Sequence, residues 1–159
     1  MQTSFSSFDF RQAMGKFATG VTIVTTPVKE GVHGMTANAF MSVSLDPPLV
    51  LVSVDKRANT HRYISEAKCF GVNILRTDQR HISNHFAGKP NEQVAQGLSY
   101  EWHDGIPVLM DCLANIACRL WANYDGGDHT LYVGEVRALR SSEAEPLLFF
   151  EGTYREMGR

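Results

Sequence analysis

Nowhere does this 159-residue chain hold a long apolar run, so it lacks the roughly 20 apolar residues that a membrane-crossing helix needs. An excess of charge of either sign is missing too. Lys and Arg number 15 against 17 Asp and Glu, for a formal net charge of −2. That balance gives no broad cationic surface of the kind that draws proteins to phosphate backbones or anionic lipid, so neither nucleic acid nor membrane is an expected partner. Cysteine is scarce. Cys69, Cys112 and Cys118 form neither an even set nor a CxxC pair, which reads as reduced core thiols rather than a disulfide framework or a zinc site. His81 and His85 are four apart on a predicted helix, but no third ligand stands at a telling spacing, and no metal is expected. The patterns GxSxG, GxxxxGK[ST] and GxGxxG are all absent. Hydrolase, P-loop and Rossmann readings therefore have no local support, and any dinucleotide must bind by another route. The opening MQTSFSSFDF has no basic region followed by an apolar core, and the protein is expected in the cytoplasm.

What is present is the composition of an ordinary globular protein, 43% hydrophobic and 20% charged. At this length one domain over residues 1–159 is the expectation. Ser7 is placed to cap a helix whose Phe10, Ala13, Met14, Phe17 and Ala18 make an apolar stripe ending at Gly20. VTIVTT, MTANAFMSVSL and LVLVSV then read as three strands, rich in β-branched residues and punctuated by Gly and Pro. A helix over Asn59–Ala67, a strand FGVNIL and a helix from Thr77 or Asp78 to about Phe86 follow. Gly88–Gly105 reads as a polar excursion in which only NEQVAQ looks helical. LANIACRLWANY and LYVGEVRAL flank the turn DGGDH as a long hairpin, and LLFFEGTYREM gives a final strand. Strands joined by short turns favour a mainly β fold with accessory helices, an antiparallel Greek-key barrel, over a doubly wound parallel sheet.

Three stretches carry possible chemistry. In LVLVSVDKRANTHRYI a strand runs through Ser53 and Val54, meets Lys56 and Arg57, and enters a helix at Asn59 and Thr60. Unpaired N–H groups, a helix dipole and two cations make an anion site, although the same residues also read as a capped helix with solvated cations. In GVHGMTANAFMSVSLDPP, Thr36, Ala37 and Asn38 are small residues that leave backbone donors and acceptors beside an accessible face, as a flat heteroaromatic ring needs; a polar edge strand reads the same way. Gly126, Gly127, Asp128 and His129 form a hairpin turn that brings a histidine to the rim, where it also reads as a plain turn histidine.

Taken in order, FRQAMGKFATGVTIVTT, GMTANAFMSVSLDPPLVLVSVDKRANTH, FGVNIL, ISNHFAG, GDHTLYVGEV and PLLFFEGTYR resemble the short-chain flavin reductase family, the reductase components of two-component aromatic monooxygenases. The resemblance runs from about Phe10 to Arg155. It implies an FMN-binding split barrel, usually a homodimer, that uses NADH or possibly NADPH to reduce FAD or FMN and passes the reduced flavin to an oxygenase component, here of phenol or hydroxyphenylacetate type. Matched by motif, Thr36, Ala37 and Asn38 are implied isoalloxazine contacts, and Ser53, Val54, Lys56, Ala58, Asn59 and Thr60 the ribityl and phosphate cradle. Phe86, Ala87 and Gly88 are implied near the flavin phosphate or adenine. Gly127, Asp128 and His129 are implied as the nicotinamide-nucleotide motif, with His129 positioning that nucleotide, and Tyr154 and Arg155 as neighbours of the same cleft. A different class remains open: a module holding FMN tightly as an electron carrier or sensor, without nicotinamide turnover. An oxidase of the pyridoxamine-phosphate type would need a further basic phosphate site, which the sequence does not offer.

Overall fold

Ser6 starts the first helix in the computed structural model, which describes residues 1–158. The Ser6 hydroxyl accepts the Asp9 N–H at 3.1 Å and the Asp9 carboxylate accepts the Ser6 N–H at 2.8 Å, a reciprocal closure that satisfies two donors at once. The resulting α1 (Ser7–Gly15) is shorter than the expected helix, and its cap is Ser6 rather than Ser7. The chain leaves the helix because β1 (Thr19–Gly20) pairs with a late strand, and a sheet ladder and a helical turn cannot use the same backbone groups. None of the residues of α1 is buried, so its apolar stripe faces outward in this chain.

The β-branched run after it forms β2 (Thr22–Val28), which pairs with β3 (Gly31–Ala37). MTANAFMSVSL, expected as one strand, is broken: β3 ends at Ala37 and β4 (Phe40–Leu45) begins after the two-residue link Asn38–Ala39. Past the turn comes β5 (Pro48–Asp55), then α2 (Asn59–Ala67) over the expected span and β6 (Cys69–Ile74). The next predicted helix is a turn of 3-10 helix at Thr77–Gln79 that runs into α3 (Arg80–His85). The excursion holds more structure than expected. Besides α4 (Glu92–Gly97) it carries β7 (Tyr100–His103), which pairs with β8 (Ile106–Leu109). Asp104 and Gly105 both take positive φ, 52° and 80°, as a two-residue hairpin turn requires. The long hairpin is β9 (Ala114–Gly126) with β10 (His129–Ser141), and the expected final strand is a small hairpin, β11 (Leu148–Phe150) with β12 (Thr153–Arg155).

Seven strands form one sheet in the order β3-β2-β6-β9-β10-β5-β4, with every pairing antiparallel. Its two edge strands, β3 and β4, are consecutive in the chain and only Asn38 and Ala39 separate them. A sheet whose opposite edges are tethered so closely must curl until they meet, which makes a barrel split along that seam. The β9–β10 hairpin fills the gap between β5 and β6, the Greek-key crossing expected from the strand pattern.

Inside the barrel, Val24, Val50, Val52, Val54, Phe70, Val72, Cys118 and Tyr132 pack together, and Ile64 of α2 joins them as a stopper. A polar hub pins β8 against the outside. The Asn73 carboxamide donates to Ile23 O at 2.8 Å and Thr25 Oγ1 at 3.0 Å, while its oxygen accepts from Leu109 N at 2.8 Å and Asn115 Nδ2 at 2.9 Å. Every hydrogen-bonding position of this buried amide is thereby used. Cys69, Cys112 and Cys118 are all buried free thiols, as read from the sequence.

Candidate functional site

At the start of α2 the residue in the capping position is Ala58, extended at φ −73° and ψ 143°, and it offers no side-chain acceptor to the first turn. Ser, Asp or Asn there would accept the Thr60 N–H; with alanine, neither the Asn59 nor the Thr60 N–H has a capping side chain to donate to. They mark the positive end of a nine-residue helix. Such a start suits a phosphate. The cations beside it are not free, however. Arg57 lies on the Asp55 carboxylate, Nη2 to Oδ2 2.9 Å, and Lys56 is paired with Asp125. The Arg57 hydrogen bonds hold the Asp55 carboxyl well below the usual carboxylate range, and the Lys56 hydrogen bond lowers Asp125. Val54 is fully buried in the barrel and can offer a ligand only its backbone. The Thr60 side chain is likewise turned inward, its hydroxyl 2.8 Å from His33 Nε2.

Strand register brings the turn after β9 to this place. His129 pairs with Asp55, Thr130 with Val54 and Leu131 with Ser53, and the Lys56 N–H donates to the Asp128 carbonyl at 3.0 Å. Gly127 takes φ +77° and is the first residue of the two-residue turn, a conformation open to glycine and strained for other residues. His129 Nδ1 is 2.8 Å from Asp128 Oδ1. That same hydrogen bond lowers the Asp128 carboxyl, which is therefore ionised at neutral pH and can only accept. A proton accordingly sits on Nδ1, and Nε2 of the half-exposed His129 is left outside this contact.

The seam of the barrel supplies the third wall. Ser53 N–H donates to Ala39 O at 3.1 Å, which ties the link to β5. Asn38 lines two hollows at once: an apolar groove of about 930 Å³ shared with Met14, Phe17, Met41, Leu51 and Ser53, and a smaller one of about 230 Å³ shared with Thr36, Ala37, Ser83, Ala87 and Tyr154. Thr36 is fastened to α3, its N–H to Phe86 O at 3.3 Å and its hydroxyl to Ser83 O at 2.6 Å. Gly34 makes room for the Phe86 ring, since a Cβ there would come within 2.6 Å of it. Tyr154 donates to Asn84 Oδ1 at 3.2 Å, so the Ser83 hydroxyl 2.6 Å away donates to Tyr154. Gly88 follows in the turn after α3, exposed and at φ +85°. Arg155 is exposed, its guanidinium over the Phe150 ring.

The residues implied by motif thus lie in three adjoining places: the two hollows that meet at Asn38, the stretch of β5 through Ser53 and Val54, and the α2 start beside the Gly127–His129 turn. An uncapped helix start at one end, a seam of small residues with accessible backbone along the middle and an apolar groove beside it fit a phosphate-bearing planar heterocycle. Sequence reading passed over His33 and His61. Each is held by a threonine of this region, His61 Nε2 standing 2.8 Å from Thr130 Oγ1.

Comparison with known proteins finds relatives over nearly the whole chain. The flavin reductase like domain family matches residues 14–158. An NADH-dependent flavin reductase of Rhodococcus sp. is 47% identical over 150 residues, 92% of this chain and 84% of the relative. The reductase component of 4-hydroxyphenylacetate 3-monooxygenase from Thermus thermophilus is 42% identical, over 93% of this chain and 95% of its own. The solved structure of flavin reductase PheA2 in its native state superposes with a TM-score of 0.91 at 46% identity, covering 98% of this chain and all of that one.

Proposed function

The chain belongs to the flavin reductase like domain family, and from that membership we propose how its residues perform the reaction of an NADH-dependent flavin reductase that supplies an oxygenase component. The observation that carries the proposal is the meeting of the uncapped α2 start with the Gly127–His129 turn through the β5–β10 register. Flavin and NADH bring the redox chemistry themselves, a hydride passing from one ring to the other. The protein's task is to hold the rings face to face at about 3–3.5 Å and to place charge where reduction creates it.

In this reading Thr36, Ala37 and Asn38 border the isoalloxazine through their backbone groups, and Ser53 lies under the ribityl chain. The N–H groups of Asn59 and Thr60 hold the phosphate, and Lys56 exchanges its surface partner Asp125 for that phosphate. Phe86, Ala87 and Gly88 adjoin the phosphate or adenine end of FAD or FMN. Gly127, Asp128 and His129 seat the nicotinamide nucleotide, with His129 presenting Nε2 as a positioning group rather than as an acid. Tyr154, locked by Ser83 and Asn84, closes the small hollow, with Arg155 at its margin.

The cleft is open along one side, which suits a flavin that departs reduced for an oxygenase. A second copy of the chain is the proposed cover for the apolar groove, because Met14, Phe17 and Met41 are exposed beside it and α1 has no buried residue. No described helix is long and apolar enough to cross a membrane, and three reduced thiols suit a cytoplasmic setting. The test is NADH oxidation by the purified protein with FAD or FMN added or withheld. Turnover that requires added flavin and saturates with it is expected. Flavin that survives dialysis in stoichiometric amount, with negligible NADH oxidation, overturns the reading in favour of a carrier.

A further inference from the structure

Two separate elements carry the two halves of the proposed site: the start of α2 faces the flavin phosphate, and the start of β10 carries the nicotinamide turn. Their offset has to be fixed if the rings are to meet. The β5–β10 ladder carries the turn to this end of the barrel; beyond the ladder, the outer ties are the Lys56 N–H to Asp128 O hydrogen bond of 3.0 Å and the Lys56–Asp125 ion pair, whose carboxylate side chain is 77% exposed. An ion pair so open to water constrains little.

The inner side is built differently. Alternation along β10 turns Thr130 and Tyr132 into the barrel and His129 the other way. Buried Thr130 meets His61 of α2, Oγ1 to Nε2 at 2.8 Å. The His61 ring lies against Tyr132, centroids 5.6 Å apart and tilted by 57°. Its backbone carbonyl accepts the Tyr132 hydroxyl at 3.0 Å. The phenol proton being so used, Ser65 one turn further along α2 donates to Tyr132 Oη at 2.7 Å. The second residue of α2 beyond its first is therefore bracketed from three directions by two alternate residues of β10. An apolar side chain would fill this space without the desolvation of a ring nitrogen and a hydroxyl; what the polar pair adds is a fixed direction.

We propose that His61 is a positioning residue for hydride transfer: through the Thr130 hydroxyl it holds the nicotinamide turn at a set distance from the phosphate-binding end of α2. It touches neither cofactor and acts on His129 through the adjacent residue of the strand. The inference rests on the proposed assignment of the two cofactor ends, and its consequences are separable from that assignment.

The experiment compares His61→Ala, His61→Gln, Thr130→Val and the double variant His61→Ala/Thr130→Val. In the cofactor-free protein, amide exchange at Lys56 and Thr130 is expected to quicken by about tenfold in His61→Ala and Thr130→Val, the scale of one lost hydrogen bond. The barrel amides of Val72 and Cys118 are expected to keep the wild-type rate. In rapid mixing with saturating NADH, hydride transfer is expected to slow by roughly tenfold to a hundredfold, the scale of a misplacement near 1 Å, with the flavin Kd within about threefold of wild type. The double variant is expected to be no slower than the slower single one, and His61→Gln, whose amide reaches the Nε2 position, to regain most of the rate. Losses that multiply in the double variant, exchange that quickens across the whole barrel, or a wild-type rate in His61→Ala overturn the proposal. Absence of flavin-dependent turnover in the wild type instead overturns the assignment of the cofactor ends, while the exchange measurement still decides whether His61 holds the turn.

Discussion

Ala58→Asp is expected to make the protein more stable and worse at holding its flavin. Ala58 already has the extended backbone of a capping residue and leaves the first turn of α2 without a side-chain acceptor. A carboxylate there accepts the N–H of Thr60, since the His61 N–H already donates to Ala58 O, and a good cap in place of alanine contributes about 1 kcal/mol, within a range of roughly 0.5–2. The negative charge at the helix start adds a few tenths more, about 0.3–1 kcal/mol. For a domain of this size each kcal/mol raises Tm by about 2–4 °C. The same carboxylate occupies the donors proposed for the phosphate and repels it. Loss of one charge-assisted hydrogen bond costs about 1.5–3 kcal/mol, and each 1.4 kcal/mol is about tenfold in Kd, so FMN is expected to bind roughly tenfold to a hundredfold more weakly. Riboflavin, which lacks the phosphate, separates this effect from a general disturbance: its affinity is expected to stay within about twofold. Fluorescence titration with both ligands, alongside thermal melts of the apoprotein, gives the three readings. Unchanged FMN affinity would show that the phosphate does not lie at α2, and equal weakening of FMN and riboflavin would show that the substitution distorts the cleft. Ala58→Asn, a neutral cap of similar strength, is expected to fall between the two.

Asn73→Leu removes the acceptor of the buried Leu109 N–H and one of the two partners of Asn115 Nδ2, which keeps Leu109 O; at about 1–3 kcal/mol for the orphaned Leu109 N–H and up to that for Asn115, a loss of roughly 1–6 kcal/mol is expected in urea unfolding. A cost below about 1 kcal/mol would mean that the hub is dispensable. Burial pushes the Cys112 thiol up to about 11 and Cys118 up to about 12, and raises Cys69 as well. A thiol-specific reagent at pH 8 is thus expected to find no fast-reacting cysteine in the folded chain and all three after denaturation; rapid reaction of any one in the native state contradicts the packing. Burial lowers the pKa of His33, so between its folded value and the unfolded value near 6.5 the unfolded chain binds the extra proton. Stability from this residue is therefore full above about pH 6.5 and declines as the pH falls toward the folded value. The exposed carboxylates lose their contributions only at lower pH, since the unfolded carboxyl pKa is near 4. Melts across the mildly acid range are expected to show this decline in the wild type and a shallower one in His33→Gln; identical slopes would exclude His33 as its source.

The helix α2 was legible to both ends because its signals are local, a strand leading into a polar start and an amphipathic turn containing Ile64. The Gly127 turn was legible for the same reason. By contrast, the break of MTANAFMSVSL at Asn38–Ala39 is marked by neither Gly nor Pro; closure of the whole sheet imposes it. The β7–β8 hairpin did have a local signal, the Asp104–Gly105 pair, which the polarity of the surrounding segment obscured. Lys56 and Arg57 read as two cations ready for an anion, but the partner of Lys56 is 69 residues away in sequence. The same separation hides the bond between His61 and Thr130, and 27 residues hide that between His33 and Thr60. A residue's chemistry is written at its position, whereas its restraint is set by contacts that only the folded register creates. The helix α1 shows the reverse error: its apolar stripe is correctly patterned, yet the chain alone gives it nothing to cover.

The short span of chain between β3 and β4 is also a mechanical limit. From Ala37 to Phe40 there are three Cα–Cα steps, which at about 3.8 Å each cannot stretch beyond about 11 Å. At that point the seam can flex but not gape, so on the proposed placement of the flavin the edge beside its ring has a fixed width there, set by two residues of backbone rather than by any side chain.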